Sequence, residues 1–204
     1  MIEGCVFDFG GVMTTLTMPE RVKPLAAELG VPWSALEAGY AKYRRRMDGD
    51  LMTMDEMYDR IFADAGLALD PAARARIIAE DQASFLCRNE ATRDWMADLK
   101  ARGFRIGILT NMCSDFARRF RETFADFVAL ADATVVSGEE RLYKPQREIY
   151  ERLRARLALP AGSLCFFDDV EANCQGARDA GWHAIRFTTT AETAAAFARF
   201  LETR

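Results

Sequence analysis

Short apolar runs alternate along this chain with longer stretches of helical periodicity. Because parallel strands need a crossover connection, usually a helix, this alternation favours an α/β fold with a parallel sheet. The runs are apolar almost throughout, as expected of strands covered by helices on both faces. The predicted strands are Cys5–Phe9, Arg105–Thr110, Ala133–Ser137, Leu164–Asp168 and Ala184–Phe187. The predicted helices between and after them are Arg93–Arg102, Asp115–Phe124, Gln146–Leu157, Glu171–Ala180 and Ala191–Glu202.

One long stretch early in the chain interrupts this alternation, because it has helical patterns and no strand. Thr53 and Glu56 have the spacing of a capping box, and Pro71 is well placed to open a helix. The helices predicted from such signals are Glu20–Leu29, Met54–Ala65 and Pro71 to about Phe85. We therefore predict a doubly wound, Rossmann-like parallel sheet core with an inserted all-helical cap. The predicted boundaries are 1–18 and 88–204 for the core and 19–87 for the cap.

Composition narrows the classes of function. Half of the 204 residues are hydrophobic, which allows a sizeable core, and the net charge of -4 provides no basic face for nucleic acid. No uncharged apolar run approaches the ~20 residues that span a bilayer. The five cysteines form no CxxC pair, which is typical of free thiols in a reducing compartment. We expect a cytoplasmic protein without a nucleic-acid or membrane partner, and its oligomeric state stays open.

The one basic run, Arg44–Arg46, falls within the helical stretch. Arginines in such a run most often form a solvated helix face, which is the expectation here. The same group could also attract an anionic substrate.

The first candidate site residue, Asp8, follows an apolar strand at the edge where ligands bind in parallel sheets. Gly10 and Gly11 come next, and glycines let the backbone bend tightly and approach a bound anion or metal ion. An aspartate in an ordinary turn would give the same local pattern.

Two further strands are followed by groups that can bind phosphate. Thr110 and Asn111 offer a hydroxyl and an amide as donors. Taken alone, this motif favours a helix cap instead, with Asn111 or Ser114 capping the next helix. Lys144 precedes Pro145, which stiffens the backbone and would present the lysine from a fixed loop.

The fourth strand ends in a pair of adjacent carboxylates, Asp168 and Asp169, with Asn173 shortly after them. Two neighbouring carboxylates repel each other unless a cation compensates their charge. Hard oxygen ligands of this kind indicate Mg²⁺, which takes one or two carboxylates together with waters and substrate oxygens.

These four motifs, in this order and strand context, resemble those of the haloacid-dehalogenase-like (HAD) superfamily of hydrolases with a C1-type cap. The resemblance covers essentially the whole chain. The segments FDFGGV, LTNM, YKPQREIY and FFDDVEAN are most similar to one branch of it. That branch holds the N-terminal phosphatase domain of soluble epoxide hydrolase and bacterial sugar-1-phosphate phosphatases.

The resemblance implies a role for each matching residue. Asp8 would be the nucleophile that forms an aspartyl-phosphate, with Lys144 and Thr110 assisting. Mg²⁺ would be held by Asp8, the Gly10 carbonyl and Asp169, with Asp168 acting mainly through a metal-bound water or an outer contact. The implied substrate-binding residues are Gly10, Gly11, Thr110, Asn111 and Lys144.

One position departs from the family pattern. Most phosphatases of the superfamily have a second aspartate, a general acid and base, where this chain has Gly10. General acid–base help is worth ~10²–10⁴-fold, so its absence needs an explanation. The substrate could have a good leaving group, as in sugar-1-phosphates or acyl phosphates, or the protein could only bind phosphate compounds. Water or a cap residue could also deliver the proton, with candidates Glu20, Tyr40, Asp48 and Asp50.

Dehalogenases of the superfamily also lack the second aspartate and use the same nucleophile to displace halide from carbon. They need no metal and typically lack the paired aspartates, so Asp168 and Asp169 favour a phosphoryl group and a metal. We predict a magnesium-dependent phosphatase of a small phosphorylated metabolite, such as a sugar-1-phosphate. The alternatives are a 2-haloacid dehalogenase and a catalytically weak phosphate-binding protein.

Overall fold

The computed structural model describes residues 1–15 and 18–203. Its strands are β1 (Gly4–Phe7), β2 (Arg105–Thr110), β3 (Ala133–Val136), β4 (Leu164–Asp168) and β5 (His183–Arg186). They form one sheet in the order β3-β2-β1-β4-β5, and every neighbouring pair is parallel. The predicted doubly wound α/β fold is therefore confirmed, with β1 at the centre between β2 and β4.

All five predicted strands exist, although the ends of three differ from the prediction. Asp8 and Phe9 lie beyond the end of β1, where the chain turns at Gly10 and Gly11. Ser137 begins a helix instead of ending β3, and β5 is shifted one residue towards the N-terminus. Strand ends are fixed by pairing with a neighbour, which an apolar pattern alone does not reveal.

The helices outside the early helical stretch connect the strands and cover both faces of the sheet. They are α5 (Glu90–Ala101), α6 (Ser114–Thr123), α7 (Ala125–Leu130), α8 (Ser137–Glu140), α9 (Arg147–Leu157), α10 (Glu171–Asp179) and α11 (Thr190–Glu202). The five predicted helices agree with α5, α6, α9, α10 and α11 to within three residues at each end. The short helices α7 and α8 were not predicted, because few residues carry too weak a periodic signal.

Neighbouring residues of each central strand point to opposite faces of the sheet, where they join separate cores. On one face, Phe7 and Phe167 pack against each other and against Trp95 of α5. On the other face, Phe166 packs edge-on against Tyr150 of α9. The strand residues of both clusters are fully buried, so the carboxyl ends of β1, β2 and β4 form a rigid platform.

Four helices lie between β1 and α5, and no strand interrupts them in the described residues. They are α1 (Met18–Glu28), α2 (Trp33–Asp48), α3 (Met54–Asp64) and α4 (Pro71–Ser84), called the cap helices below. This confirms a helical insertion after the first strand. The boundaries 1–18, 19–87 and 88–204 stay a prediction, and residues 16, 17 and 204 lie outside the described residues.

Local signals explain where the cap helices begin. The Thr53 hydroxyl accepts from the backbone N–H of Glu56, and the Glu56 carboxylate accepts from the backbone N–H of Thr53. This confirms the predicted capping box of α3. Pro71 opens α4, as predicted, and the Asp70 carboxylate caps its first turn.

The composition-based expectations can be compared with the fold at two points. All five cysteines are free thiols, and Cys5 and Cys165 are buried in the core. Within residues 1–15 and 18–203, no helix has both the length and the apolar character that crossing a bilayer requires.

Candidate active site

Asp8 stands at the centre of the carboxyl edge of the sheet, directly after β1. Its backbone N–H donates to the carbonyl of Phe167 in the neighbouring β4 at 3.0 Å. Its Oδ1 accepts from the backbone N–H of Phe9 at 2.7 Å. Only 7% of the residue is exposed, so the carboxylate is held in one place and largely shielded from water.

Gly11 brings the first and fourth motifs together. Its φ of +72° is a conformation that side-chain-bearing residues rarely adopt. A Cβ built on Gly11 would lie 2.5 Å from Oδ2 of Asp169, far inside van der Waals contact. Glycine is therefore required here both for the turn and for the close approach of the Asp169 carboxylate.

Lys144 joins two of the predicted acidic residues. Its Nζ lies 2.7 Å from Oδ1 of Asp8 and 2.7 Å from Oδ2 of Asp168, and the residue is 2% exposed. Burial alone would lower the pKa of Lys144, but the two carboxylates outweigh it and raise the pKa to about 12. The side chain is therefore an ammonium ion at neutral pH.

Asn111 fixes the loop that carries Lys144. Its Oδ1 accepts from the backbone N–H of Lys144 at 2.8 Å, and its Nδ2 donates to the backbone carbonyl of Lys144 at 3.1 Å. One N–H of this amide remains available for another acceptor. The pair of bonds ties the end of β2 to the loop before α9.

Asp168 is completely buried and surrounded by protein donors. The backbone N–H of Val170 donates to Oδ1 at 2.8 Å, and Nδ2 of Asn173 lies 3.1 Å from both carboxylate oxygens. Lys144 completes the set at Oδ2. Because each oxygen already has protein donors, this carboxylate is suited to orienting Lys144.

Asp169 differs from Asp168 because its carboxylate faces the cavity described below. Arg186 reaches the backbone carbonyl of Asp169, at 3.0 Å. Carboxylate oxygens of Asp8, Asp168 and Asp169 all lie within 4.8 Å of one another. Burial, followed by the charge of Asp168, raises the pKa of both Asp8 and Asp169. The ammonium of Lys144 balances the charge of only one of these three crowded carboxylates. A divalent cation would offset the negative charge that remains.

A cavity of about 520 Å³ opens at this edge of the sheet, between the core and the cap helices. Seven of the eight predicted site residues line it: Asp8, Gly10, Gly11, Thr110, Asn111, Lys144 and Asp169. The eighth, Asp168, lies behind Lys144 and contacts it. The cap side of the wall includes Tyr40, Arg44, Arg45, Met47, Asp48, Met54 and Phe85.

The alternative interpretation of Asn111 and Ser114 as helix caps is wrong. The residue before α6 is Cys113, which makes no side-chain capping bond. The backbone N–H of Ser114 instead donates to Oδ1 of Asp50, at 2.8 Å, so a carboxylate from the cap region satisfies this helix end. Thr110 and Asn111 are thus left facing the cavity.

The family model of the haloacid dehalogenase-like hydrolases matches residues 2–181 of this chain. The chain belongs to this family. The predicted family, its α/β fold and its hydrolase class are confirmed.

Known proteins similar to this HAD-like hydrolase include both phosphatases and dehalogenases. Phosphatase MT3486 of Mycobacterium tuberculosis (strain CDC 1551 / Oshkosh) is 24% identical over 195 residues, covering 94% of this chain and 90% of the relative. HAD family enzyme bt-2542 of Bacteroides thetaiotaomicron, solved with magnesium and inorganic phosphate, is 19% identical with a TM-score of 0.71, covering 92% of this chain and 95% of that chain. L-2-haloacid dehalogenase of Xanthobacter autotrophicus, solved with chloropropionic acid covalently bound, is 15% identical with a TM-score of 0.68, covering 91% and 77%. The two structures share the fold of this chain.

The expectation that Arg44–Arg46 forms a solvated face is wrong for Arg44. Its side chain is 23% exposed, and its Nε donates to Oδ1 of Asp48 at 2.6 Å. The guanidinium carbon also lies 5.1 Å from the ring centroid of Tyr40 and 5.2 Å from that of Phe85. The spacing of Tyr40, Arg44 and Asp48, one helical turn apart, is the sequence signal that could have found this cluster.

Of the four candidate proton donors, two line the cavity and two do not. Tyr40 and Asp48 line the cavity, and burial raises the pKa of both side chains. Asp50 bonds the backbone N–H of Ser114 and does not line the cavity. Glu20 is an exposed residue of α1 and does not line it either.

Proposed function

We propose that this HAD-like hydrolase is a magnesium-dependent phosphatase that acts on a small phosphorylated metabolite through a phosphorylated Asp8. The observation that carries the proposal is the arrangement around Asp8. A carboxylate of a nearly buried residue is bonded to the Lys144 ammonium at 2.7 Å and lies within 4.8 Å of two further carboxylates. Such a site combines a nucleophile, a fixed positive charge and the oxygen ligands of a hard cation.

Magnesium fits the donor set of this site. Asp8, Asp169 and the Gly10 carbonyl would hold the ion, because these three residues line the cavity while the oxygens of Asp168 bond protein donors. When bound, the ion would neutralise the carboxylates and polarise the phosphoryl group. Enzyme bt-2542, which shares the fold, was solved with magnesium and phosphate, and this supports the same cofactor here.

In the proposed reaction, a carboxylate oxygen of Asp8 attacks phosphorus while the bond to the leaving oxygen breaks. Water then attacks the aspartyl-phosphate, which releases inorganic phosphate and restores Asp8. Lys144 stays protonated, since its pKa is about 12, and holds positive charge beside the transferring group. Thr110 and the free amide N–H of Asn111 would donate to phosphoryl oxygens from the cavity wall.

The glycine at position 10 favours a substrate whose leaving oxygen needs little protonation. It has no side chain to donate a proton, so an anomeric oxygen, as in a sugar-1-phosphate, or an acyl group is the favoured leaving group. Any proton that is needed would come from water or from Asp48, which lines the cavity, since the hydroxyl of Tyr40 already donates to Asp81.

Other observations support the biological setting. The similarity to Phosphatase MT3486 extends over 94% of the chain, and the name of that protein agrees with the proposed activity. Since the five cysteines are free thiols, we also infer that the enzyme works in the reducing cytoplasm.

The test is phosphate release by the purified protein from a panel of esters, with Mg²⁺ and again with EDTA. The panel contains sugar-1-phosphates, sugar-6-phosphates, an acyl phosphate and a nitrophenyl ester. Release that EDTA abolishes is the expected result. Halide release from 2-haloacids without any phosphate release would favour the dehalogenase alternative, whose fold is also shared.

A further inference from the structure

Arg44 is held against the cavity wall by a buried polar network of the cap helices. Fully buried Asp81 accepts from the hydroxyl of Tyr58 at 2.9 Å and from that of Tyr40 at 3.3 Å. Nη1 of Arg44 donates to the Tyr40 hydroxyl, and its Nε donates to Asp48. The network therefore runs from the interior of the cap to a guanidinium at the cavity.

The donors of Arg44 are only partly used by this network. Nε and Nη1 have partners, whereas Nη2 donates to none of the residues that the structure describes. Nη2 is also not among the buried polar atoms that lack a partner. Arg44 lines the cavity and its side chain is 23% exposed, and a guanidinium with a donor left over is suited to bind an oxygen anion.

Arg45 adds a second guanidinium to the same wall. It is exposed and lines the cavity, and within residues 1–15 and 18–203 it forms no ion pair. Arg46, the next residue, is exposed as well but does not line the cavity. Only part of the basic run therefore faces the substrate space.

The part of the cavity wall that the cap helices form, called the cap wall, differs in charge from the part that the sheet and its loops form, called the core wall. The charged side chains of the cap wall are Arg44 and Arg45 against Asp48, which leaves one net positive charge. The remaining cap residues at the cavity are apolar, such as Met47 and Met54, apart from Tyr40. The charged groups that the cap helices contribute to the cavity are thus mainly donors for an anion.

We propose that the substrate is a phosphomonoester whose alcohol part carries a second anionic group, a carboxylate or a second phosphate, bound by Arg44 and Arg45. The inference rests on the proposed phosphatase function, because Asp8 and magnesium would hold the phosphoryl group at the core side of the cavity. Arg44 provides a preorganised, partly desolvated contact. Arg45 adds a more exposed, salt-sensitive attraction.

Matched ester pairs test this inference. para-Carboxyphenyl phosphate is compared with para-carbamoylphenyl phosphate, which has nearly the same shape but no second charge. For the phosphate arm, para-phenylene bisphosphate is compared with para-hydroxyphenyl phosphate. With Mg²⁺ present, kcat/KM should be about 10- to 100-fold higher for the charged member of at least one pair, the range expected for charge-assisted hydrogen bonds. The pair that shows the preference identifies the anion.

Variants assign the preference to the two arginines. Arg44→Met and Arg45→Met should each lower the charged-to-neutral ratio about tenfold, and Arg45→Glu should lower it further. Arg46→Met is the matched control and should leave the ratio unchanged. Added salt should weaken the contribution of Arg45 more than that of Arg44. Because Arg45 forms no ion pair with any residue of 1–15 and 18–203, its variants remain informative even where Arg44→Met fails to fold.

Two results separate failure of this inference from failure of the proposed function. Efficient, Mg²⁺-dependent turnover with no preference for either charged ester would overturn the inference alone. A preference that persists unchanged in both Arg45 variants and in a folded Arg44→Met would overturn it as well. Absence of phosphate release from all four esters and from the wider panel would instead contradict the phosphatase function.

Discussion

Two clusters of charged and polar residues form or support the wall of the same cavity, one in the core and one in the cap helices. The core cluster is Asp8, Lys144, Asp168 and Asp169, and the cap cluster is Tyr40, Arg44, Asp48, Tyr58 and Asp81. In the core, one ammonium compensates only part of three carboxylates. In the cap, tyrosine hydroxyls and a guanidinium bond both carboxylates.

This difference teaches what each cluster can do. A buried charge is stable only where a partner of opposite charge or a hydrogen bond compensates it. The core cluster has more carboxylates than cations, so it is suited to bind a cation from outside the chain. The cap cluster is internally bonded, and its consequence is the fixed orientation of Arg44 rather than an ion site. We therefore propose that the core wall carries out the chemistry and the cap wall recognises the substrate.

The largest effect is expected for Asp8→Asn, which tests whether the core cluster carries out the chemistry. The amide has nearly the same shape but is not a nucleophile, so turnover should fall by at least about 10⁴-fold. The fold should survive, because removing one of three crowded carboxylates relieves repulsion. Phosphate release and thermal melting measure the two effects. Activity within tenfold of the unaltered protein would contradict the mechanism.

Asp169→Asn tests whether the core cluster holds the cation. Loss of a carboxylate ligand should raise the Mg²⁺ concentration for half-maximal activity by about 100-fold. The readout is a Mg²⁺ titration of phosphate release at saturating substrate. Asp179→Asn is the control, because this exposed carboxylate bonds Gln175 on the same helix. An unchanged metal requirement in Asp169→Asn would show that the ligand has been misplaced.

The Gly10→Asp variant tests whether a proton donor is the only catalytic group that the core wall is missing. A Cβ at Gly10 has its nearest contact at 3.5 Å, with Phe85, so a side chain fits. A carboxyl group here should raise kcat for esters with poor leaving groups about tenfold, a modest part of the usual general-acid effect.

The comparison for that variant is Gly10→Asn, which has the same shape and no acid function. It should give no gain, and neither variant should speed hydrolysis of a nitrophenyl ester, whose leaving group needs no proton. A decrease with every ester in Gly10→Asp, but not in Gly10→Asn, would show that an acid at this position is harmful.

The smallest expected effect concerns the cap cluster. Tyr58→Phe removes a hydrogen bond to the fully buried Asp81 carboxylate, which should lower the free energy of unfolding by about 1.5–3 kcal/mol. Mg²⁺ dependence should not change. Denaturant unfolding measures the first quantity and a metal titration the second.

Tyr43→Phe is the matched control. Tyr43 bonds Asp64, whose side chain is 47% exposed, so water replaces the lost bond and the cost should stay below about 1 kcal/mol. Equal losses in the two variants would mean that burial of Asp81 adds nothing, and the cap cluster would then not be a rigid support for Arg44.

Much of the core wall could be predicted from the sequence. Asp8, Thr110 and Asp168 each end or follow an apolar strand, and parallel strands bring their carboxyl ends to one edge. What the pattern could not reveal is the different environment of two adjacent aspartates. Asp168 is enclosed by Lys144 and Asn173, whereas Asp169 faces the cavity beside Gly11.

The cap wall was less accessible to sequence reasoning. Arg44 was expected on a solvated face, because a run of arginines on a helix shows only which side chains are charged. Its orientation depends on Asp81, which is 37 residues away in another helix and bonds Tyr40. Similarly, the Ser137 hydroxyl bonds the backbone carbonyl of Asp48 at 2.6 Å and so links the end of α2 to the end of β3.

The sequence by itself determined the order of strands and helices, the helical insertion, the family and the residues at the strand ends. The family follows from the resemblance of the four motifs, and the rest follows from local periodicity and from the rule that parallel strands share one ligand-binding edge. Only the tertiary structure decided which carboxylates stay open to a cation and which arginine reaches the cavity. Those outcomes depend on burial and on partners from distant segments, since the ionic and hydrogen-bonding state of a side chain is set by its surroundings and not by its neighbours in sequence.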